Sequence, residues 1–256
     1  LTRGAPGGIW GFQVKSCRAL VIGGTERALV ENCHASRMSS ECFVSHSRSR
    51  ATAAPEYPYS KSTTYLRCSV TDCARNAFND THCGSENTSV LGCRIVDVGG
   101  CAWEGASRFV KFSGNYVRNA GTVAMGNLGP GNRDRSFDTL GAGQHIVADN
   151  VFEDIVPYGR CAVRASVGAT QVIIRNNLFV NFGSSAIEAL GITTSTLFPS
   201  SNVLITGNIL DMTCVGRKPV ARTAIAATLD DAIIADNQIY VRGSCDPTVT
   251  AIALHE

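Results

Sequence analysis

The chain has 256 residues, with 23 Lys and Arg against 21 Asp and Glu, 44% apolar residues and 7% aromatics. A net charge of +2 excludes a polybasic nucleic-acid binder, and the apolar content excludes a disordered chain. No apolar run reaches the roughly 18 residues that a membrane helix needs, so neither nucleic acid nor membrane is expected as a partner.

Residues 1–10 lack an initiator Met and an apolar leader. The chain is therefore expected to be one domain, residues 1–256, cut from a longer protein. Its eleven cysteines include no C-x-x-C pair, and the nearest two in sequence are Cys68 and Cys73. That excludes a zinc ribbon and a thioredoxin-like motif. The thiols read as small apolar filler and no metal ligand set is assigned.

From the N-terminus onward one phrase recurs, as ALVENCHA, TYLRCSV, SVLGCRI, VKFSGNYV, IVADNVF, VIIRNNLF, VLITGNIL and AIIADNQI. Its anchor position holds Cys33, Cys68, Cys93, Asn115, Asn150, Asn177, Asn208 and Asn237. A second phrase follows each anchor: SECFVSH, RNAFNDT, GCAWEGA, TVAMGNL, RCAVRAS, SSAIEAL, RTAIAAT and VTAIALH. Both alternate apolar and polar residues with period two and are bounded by Gly, Asn, Asp or Ser, the pattern of short strands. Two strands per repeat are expected. The segment before Cys33 fits neither phrase.

Like residues come into register only if like phrases stack in parallel, which makes a solenoid with one coil per repeat. The fold class expected is all-β, a single-stranded right-handed parallel β-helix of about 8–9 coils.

The phrase Arg175-Asn176-Asn177-Leu178-Phe179 resembles the coil signature of the pectate-lyase-like superfamily of right-handed β-helix proteins, with PbH1-type repeats. The likeness runs from about Val14 to the C-terminus. It implies an inward turn at which Asn amides stack from coil to coil, each satisfying its neighbour. With Cys at the first three anchors, a thiol stack should merge into an Asn ladder. As function the resemblance implies a carbohydrate-active protein that cleaves a polysaccharide, as a lyase or a glycoside hydrolase. The alternatives are a phage tailspike or surface glycan-binding module assembled as a homotrimer, and a structural solenoid without catalysis. Either functional reading implies an extracellular or virion-surface location. The motifs that mark pectate lyases, polygalacturonases and alginate epimerases are absent, so no specific enzyme family is matched.

Aligning the second phrase gives an outward column of Asn79, Glu104, Gly126, Arg164, Glu188, Ala226 and Ala253. Arg164 and Glu188, on adjacent coils, should touch. Glu104 and Glu188 should lie about 14 Å apart, beyond the roughly 5–9.5 Å of glycosidase carboxylate pairs. Asp80 and His82, from the preceding coil, are expected to share the groove with Glu104. Asp80 and Glu104 would then act as a hydrolase pair or hold a divalent cation such as calcium. In a lyase, Arg164 would neutralise a uronate carboxylate. Asp80, Glu104, Arg164 and Glu188 are thus the candidate catalytic residues.

Three insertions, residues 47–62, 127–143 and 191–201, leave the rod at one edge, where they would wall a cleft. With the adjoining strand end, the first supplies His46, Tyr57, Tyr59 and Lys61, and the second Arg133 and Asp138. These residues and His82 are the expected substrate contacts.

Overall fold

The computed structural model describes residues 17–23, 25–45, 60–80, 86–105, 108–125, 143–155, 161–165, 169–189, 201–213, 222–228, 231–242 and 249–255. Among them every regular element is a strand, and the strands form three all-parallel sheets. Sheet A has nine strands, from Leu20–Ile22 to Val249–His255. Sheet B has eight, from Ala28–Glu31 to Ala232–Ala235, and sheet C eight, from His34–Met38 to Gln238–Arg242. The chain visits A, B and C in turn, and each strand pairs with its counterparts one coil away, as Leu178 does with Val151 and Ile209. The architecture is a parallel β-helix.

Each coil contains three strands, where the phrases suggested two. The anchor phrase is two strands, one in sheet B and one in sheet C, hinged at the residue just before the anchor. That hinge is Asn32, Arg67, Gly92, Gly114, Asp149, Asn176, Gly207 or Asp236, with φ between 53° and 68°. The left-handed region suits Gly, Asn and Asp. Arg67 is the one long side chain among them, and its guanidinium bonds Glu31 of the preceding coil. A turn made by one residue leaves the apolar alternation unbroken, which is why one strand was expected.

Immediately after the hinge the anchor side chain points inward. Asn115 Nδ2 donates to Asn150 Oδ1 at 3.0 Å, Asn150 to Asn177 at 2.9 Å, Asn177 to Asn208 at 3.0 Å and Asn208 to Asn237 at 2.9 Å. Each amide also donates to a backbone carbonyl of the preceding coil, as Asn177 does to Val147 at 3.0 Å, and accepts from a backbone N–H there. Asn115, Asn150, Asn177 and Asn208 are therefore buried without an unmet polar atom. Toward the N-terminus the ladder passes into thiols. Cys68 donates to Val30 O at 3.3 Å, and burial pushes the Cys93 thiol up to about 12, so it stays protonated at neutral pH.

The interior is apolar and stacked. Phe152 and Phe179, paired in sheet C, lie 5.0 Å apart with ring planes 5° from parallel, and Phe43 and Phe78 of sheet A lie 5.3 Å apart. The segment before Cys33 supplies Leu20–Ile22, which pairs with Phe43–Ser45 and opens sheet A.

Candidate functional site

The three insertions each follow a sheet A strand and precede a sheet B strand. They leave after Phe43–Ser45, Val123–Met125 and Ser185–Ala189, and return at Thr63–Leu66, Gly143–Ala148 and Ser201–Thr206. One edge of sheet A therefore carries all three. His46, Tyr57, Tyr59, His82, Arg133 and Asp138 lie outside the described residues. Lys61 is described: it is exposed, and its backbone pairs with that of Glu86 just ahead of sheet B.

On sheet A the register aligns Val44, Asn79, Glu104, Ala124, Arg164, Glu188, Ala226 and Ala253. Ala124, not Gly126, holds the position between Glu104 and Arg164. A shift of two preserves the alternation between faces, so the sequence pattern does not detect it. Glu104 stays two coils from Arg164 and three from Glu188.

Asp80 does not join Glu104. The strand Phe78–Asp80 continues through Asp80, which pairs with Gly105, so its side chain points to the opposite face from Asn79 and Glu104. It is fully buried, and its carboxylate accepts from Thr88 Oγ1 at 2.5 Å. The rod interior also holds the buried polar residues Ser45, Thr63, Tyr65 and His145. The expected Asp80 and Glu104 pair, whether as acid and base or as a calcium site, is thus split between the inside and the outside of the wall. Among the described residues no group of three or more His, Cys, Asp or Glu is placed to hold a metal ion.

Glu104 is instead held by two amides. Asn76 Nδ2 donates to its Oε2 at 2.5 Å and Asn79 Nδ2 to the same oxygen at 3.3 Å. Asn76 is itself fixed, because its Oδ1 accepts from the Cys101 backbone N–H at 2.9 Å. A Cβ on Gly100 would stand 2.5 Å from that Oδ1, so glycine there leaves room for the amide. Sequence reasoning missed Asn76. Its signal was a second amide three residues ahead of Asn79, in Arg75-Asn76-Ala77-Phe78-Asn79.

Arg164 and Glu188 meet as the register expects. Arg164 donates through Nε at 2.9 Å and Nη2 at 2.7 Å, both to Glu188 Oε2. Burial opposes the guanidinium charge, but Cys161 and Glu188 outweigh it and raise its pKa. The thiol of Cys161 beneath the pair is pushed up by burial and by Glu188.

A third charged group, absent from the sequence reading, sits at the N-terminal end of the same sheet. Glu41 is buried and bonds Arg18 at 3.0 Å, Arg75 at 3.2 Å and the Ser40 hydroxyl. Burial pushes its carboxyl up, but Ser40, its own backbone amide and Arg18 outweigh that and bring it to about 2. A depressed carboxyl stabilises the fold fully above its unfolded value of 4.5 and loses that contribution as pH falls through about 2. At neutral pH the contribution is about 3 kcal/mol. Urea titrations between pH 5 and 2 should show stability falling across this window. Glu41→Gln should be less stable at pH 7 and flatter below 4.5; an unchanged acid limb would remove Glu41 as its source.

No protein-family model matches the chain and no curated protein matches it. Among solved structures it is similar to the Agl-KA catalytic domain, at 10% identity and a TM-score of 0.50, over 89% of this chain and 47% of that one. It is similar to the tailspike protein of E. coli bacteriophage HK620 in complex with a pentasaccharide, at 15% identity and 0.47, over 89% and 46%. It is similar too to PfbA, a surface adhesin of Streptococcus pneumoniae, at 12% and 0.40, over 90% and 72%. The chain spans about half the length of the first two structures. At such identities the likeness is one of fold alone.

Proposed function

We propose that this chain cleaves a polysaccharide by hydrolysis on the outer face of sheet A, with Glu104 as one of the two carboxylates. The observation that carries the reading is the Glu104 carboxylate, positioned by Asn76 and Asn79 on the face whose edge bears the long insertions. Glycoside hydrolysis needs a second carboxylate roughly 5–9.5 Å away. Glu188, three coil steps or about 14 Å off, is too far. Asp138, expected from the sequence as a substrate contact, lies outside the described residues and is the partner to test, by Asp138→Asn.

β-Elimination is the weaker reading. The Arg164 fork is taken up by Glu188, so its charge is already matched and is poorly placed to neutralise a uronate. A panel of acidic and neutral polysaccharides, followed by new reducing ends and by ultraviolet absorbance of unsaturated products, tests the proposal. Reducing ends without absorbance are expected. Absorbance would replace hydrolysis with elimination.

One observation favours the second reading, a glycan-binding module of the tailspike kind acting as a homotrimer on a virion or cell surface. The outer face of sheet B carries Ile146, Ile173, Leu204 and Ile233 in one column, with Ile233 63% exposed. An outward apolar stripe of this kind suits side-by-side packing of rods. Glycan binding without turnover, together with a trimeric mass in sedimentation equilibrium, would favour this reading over hydrolysis.

A further inference from the structure

Two of the buried thiols are arranged unlike the others. Cys42, just ahead of the sheet A strand Phe43–Ser45, is 0% exposed, and Cys73, ending the sheet C strand Ser69–Cys73 of the next coil, is 3% exposed. Their sulfurs lie 2.9 Å apart. Non-bonded carbons pack best at roughly 3.5–4.0 Å, and sulfur is the larger atom, so this is too close for two thiols at rest. The backbone holds them there: Cys42 N–H donates to Asn76 O at 3.0 Å, and Ala74 N–H donates to Met38 O at 2.8 Å. Cys73 Sγ also lies 3.0 Å from Ser40 O, and the stacked Cys68 and Cys93 thiols likewise approach backbone carbonyls, at 3.3–3.6 Å, so the close S–S approach is what marks this pair.

We propose that Cys42 and Cys73 are joined by a disulfide that staples successive coils at the corner between sheets C and A. The remaining approach is about 0.9 Å, from the observed 2.9 Å to the 2.03–2.05 Å of a covalent S–S bond. The reaction is exchange with an external disulfide, either oxidised glutathione or a thiol oxidoreductase. Each cysteine gives up its proton. The two electrons pass to the external S–S bond, which breaks to two thiols as the Cys42–Cys73 bond forms. Because neither sulfur is accessible once the coils have stacked, the bond forms while the chain folds.

The cross-link closes residues 42–73, the segment that contains the first long insertion and its candidate contacts Tyr57, Tyr59 and Lys61. It ties the sheet A strand that precedes that segment to the coil that follows it. The bond requires an oxidising compartment for folding, and it does not depend on whether the protein cleaves or only binds glycans.

The test is peptide mapping of full-length chain refolded in a glutathione redox buffer, alkylated in denaturant without reduction. The expected product links the tryptic peptide holding Cys42 to the one holding Cys68 and Cys73, with two hydrogens fewer than the separate peptides. A Cys68→Ala variant should keep the link. Cys42→Ala, Cys73→Ala and the double variant should each lower Tm by the same amount, about 10 °C, in oxidising buffer. In reductant their differences from the parent should shrink to a few degrees. Alkylation of both thiols in the oxidised protein, a link to another cysteine, or additive Tm losses that ignore reductant would each overturn the assignment.

Discussion

Glu104→Gln is expected to lower polysaccharide cleavage about 10²–10⁴-fold while the protein remains folded and still binds glycan. Gln keeps the shape, and its carbonyl oxygen can accept from Asn76 and Asn79 as Oε2 does now. What is lost is the charge and the ability to carry a proton. Asn76→Ala provides the contrast: it removes one donor and leaves the carboxylate, so its effect should be smaller and should fall on kcat with little change in KM. If Glu104 is the nucleophile or base, added azide should restore turnover of an activated substrate by Glu104→Gln. If it is the acid, substrates with a good leaving group should be spared. Full retained activity on every substrate would remove Glu104 from the chemistry.

Asn177→Ala should be among the most damaging single changes in the molecule, costing about 3–5 kcal/mol in equilibrium unfolding. The alanine would leave Val147 O without its side-chain donor and Asn150 without an acceptor for both its backbone N–H and its Nδ2. No water reaches these groups, because Asn150 and Asn177 are 1% exposed. The control is one residue away. Asn176 is exposed with φ 54°, so Asn176→Gly keeps the backbone conformation and should shift stability by less than about 1 kcal/mol. Equal losses from the two changes would mean that the ladder contributes no more than a surface amide.

The ladder was legible because it repeats. Asn or Cys at Cys33 to Asn237 marks one position per coil, and an inward amide is readily satisfied by another amide at the same place one coil away. The strand following each anchor was legible for the same reason. Single, non-repeating features were not. The hinge at Gly92 or Asp149 costs the alternation nothing, so two strands read as one. Asp80 beside Asn79 looked like a partner for Glu104, but adjacent residues of a strand face opposite ways, and whether the strand ended there could not be read from three polar residues. Glu41 escaped notice because its partners, Arg18 and Arg75, are 23 and 34 residues away in sequence and converge only when coils stack. The Arg164 and Glu188 contact was visible because it follows from register alone.

The ladder also has a direction. From Asn115 to Asn208 each side-chain amide donates to the amide oxygen of its C-terminal neighbour, and none of these amide–amide bonds runs the other way. The side-chain dipoles are therefore aligned along the rod axis, and each bond polarises the next. A coil already in place presents a backbone N–H and an amide N–H that lack only the incoming Oδ1, so it acts as a template for the coil that follows. The unmet N–H groups of a coil thus face the C-terminal end of the rod, the direction in which the chain is synthesised. The cysteine coils cannot take part in the templating: Cys93 offers Asn115 only its backbone N–H, and templating by amides begins at Asn115.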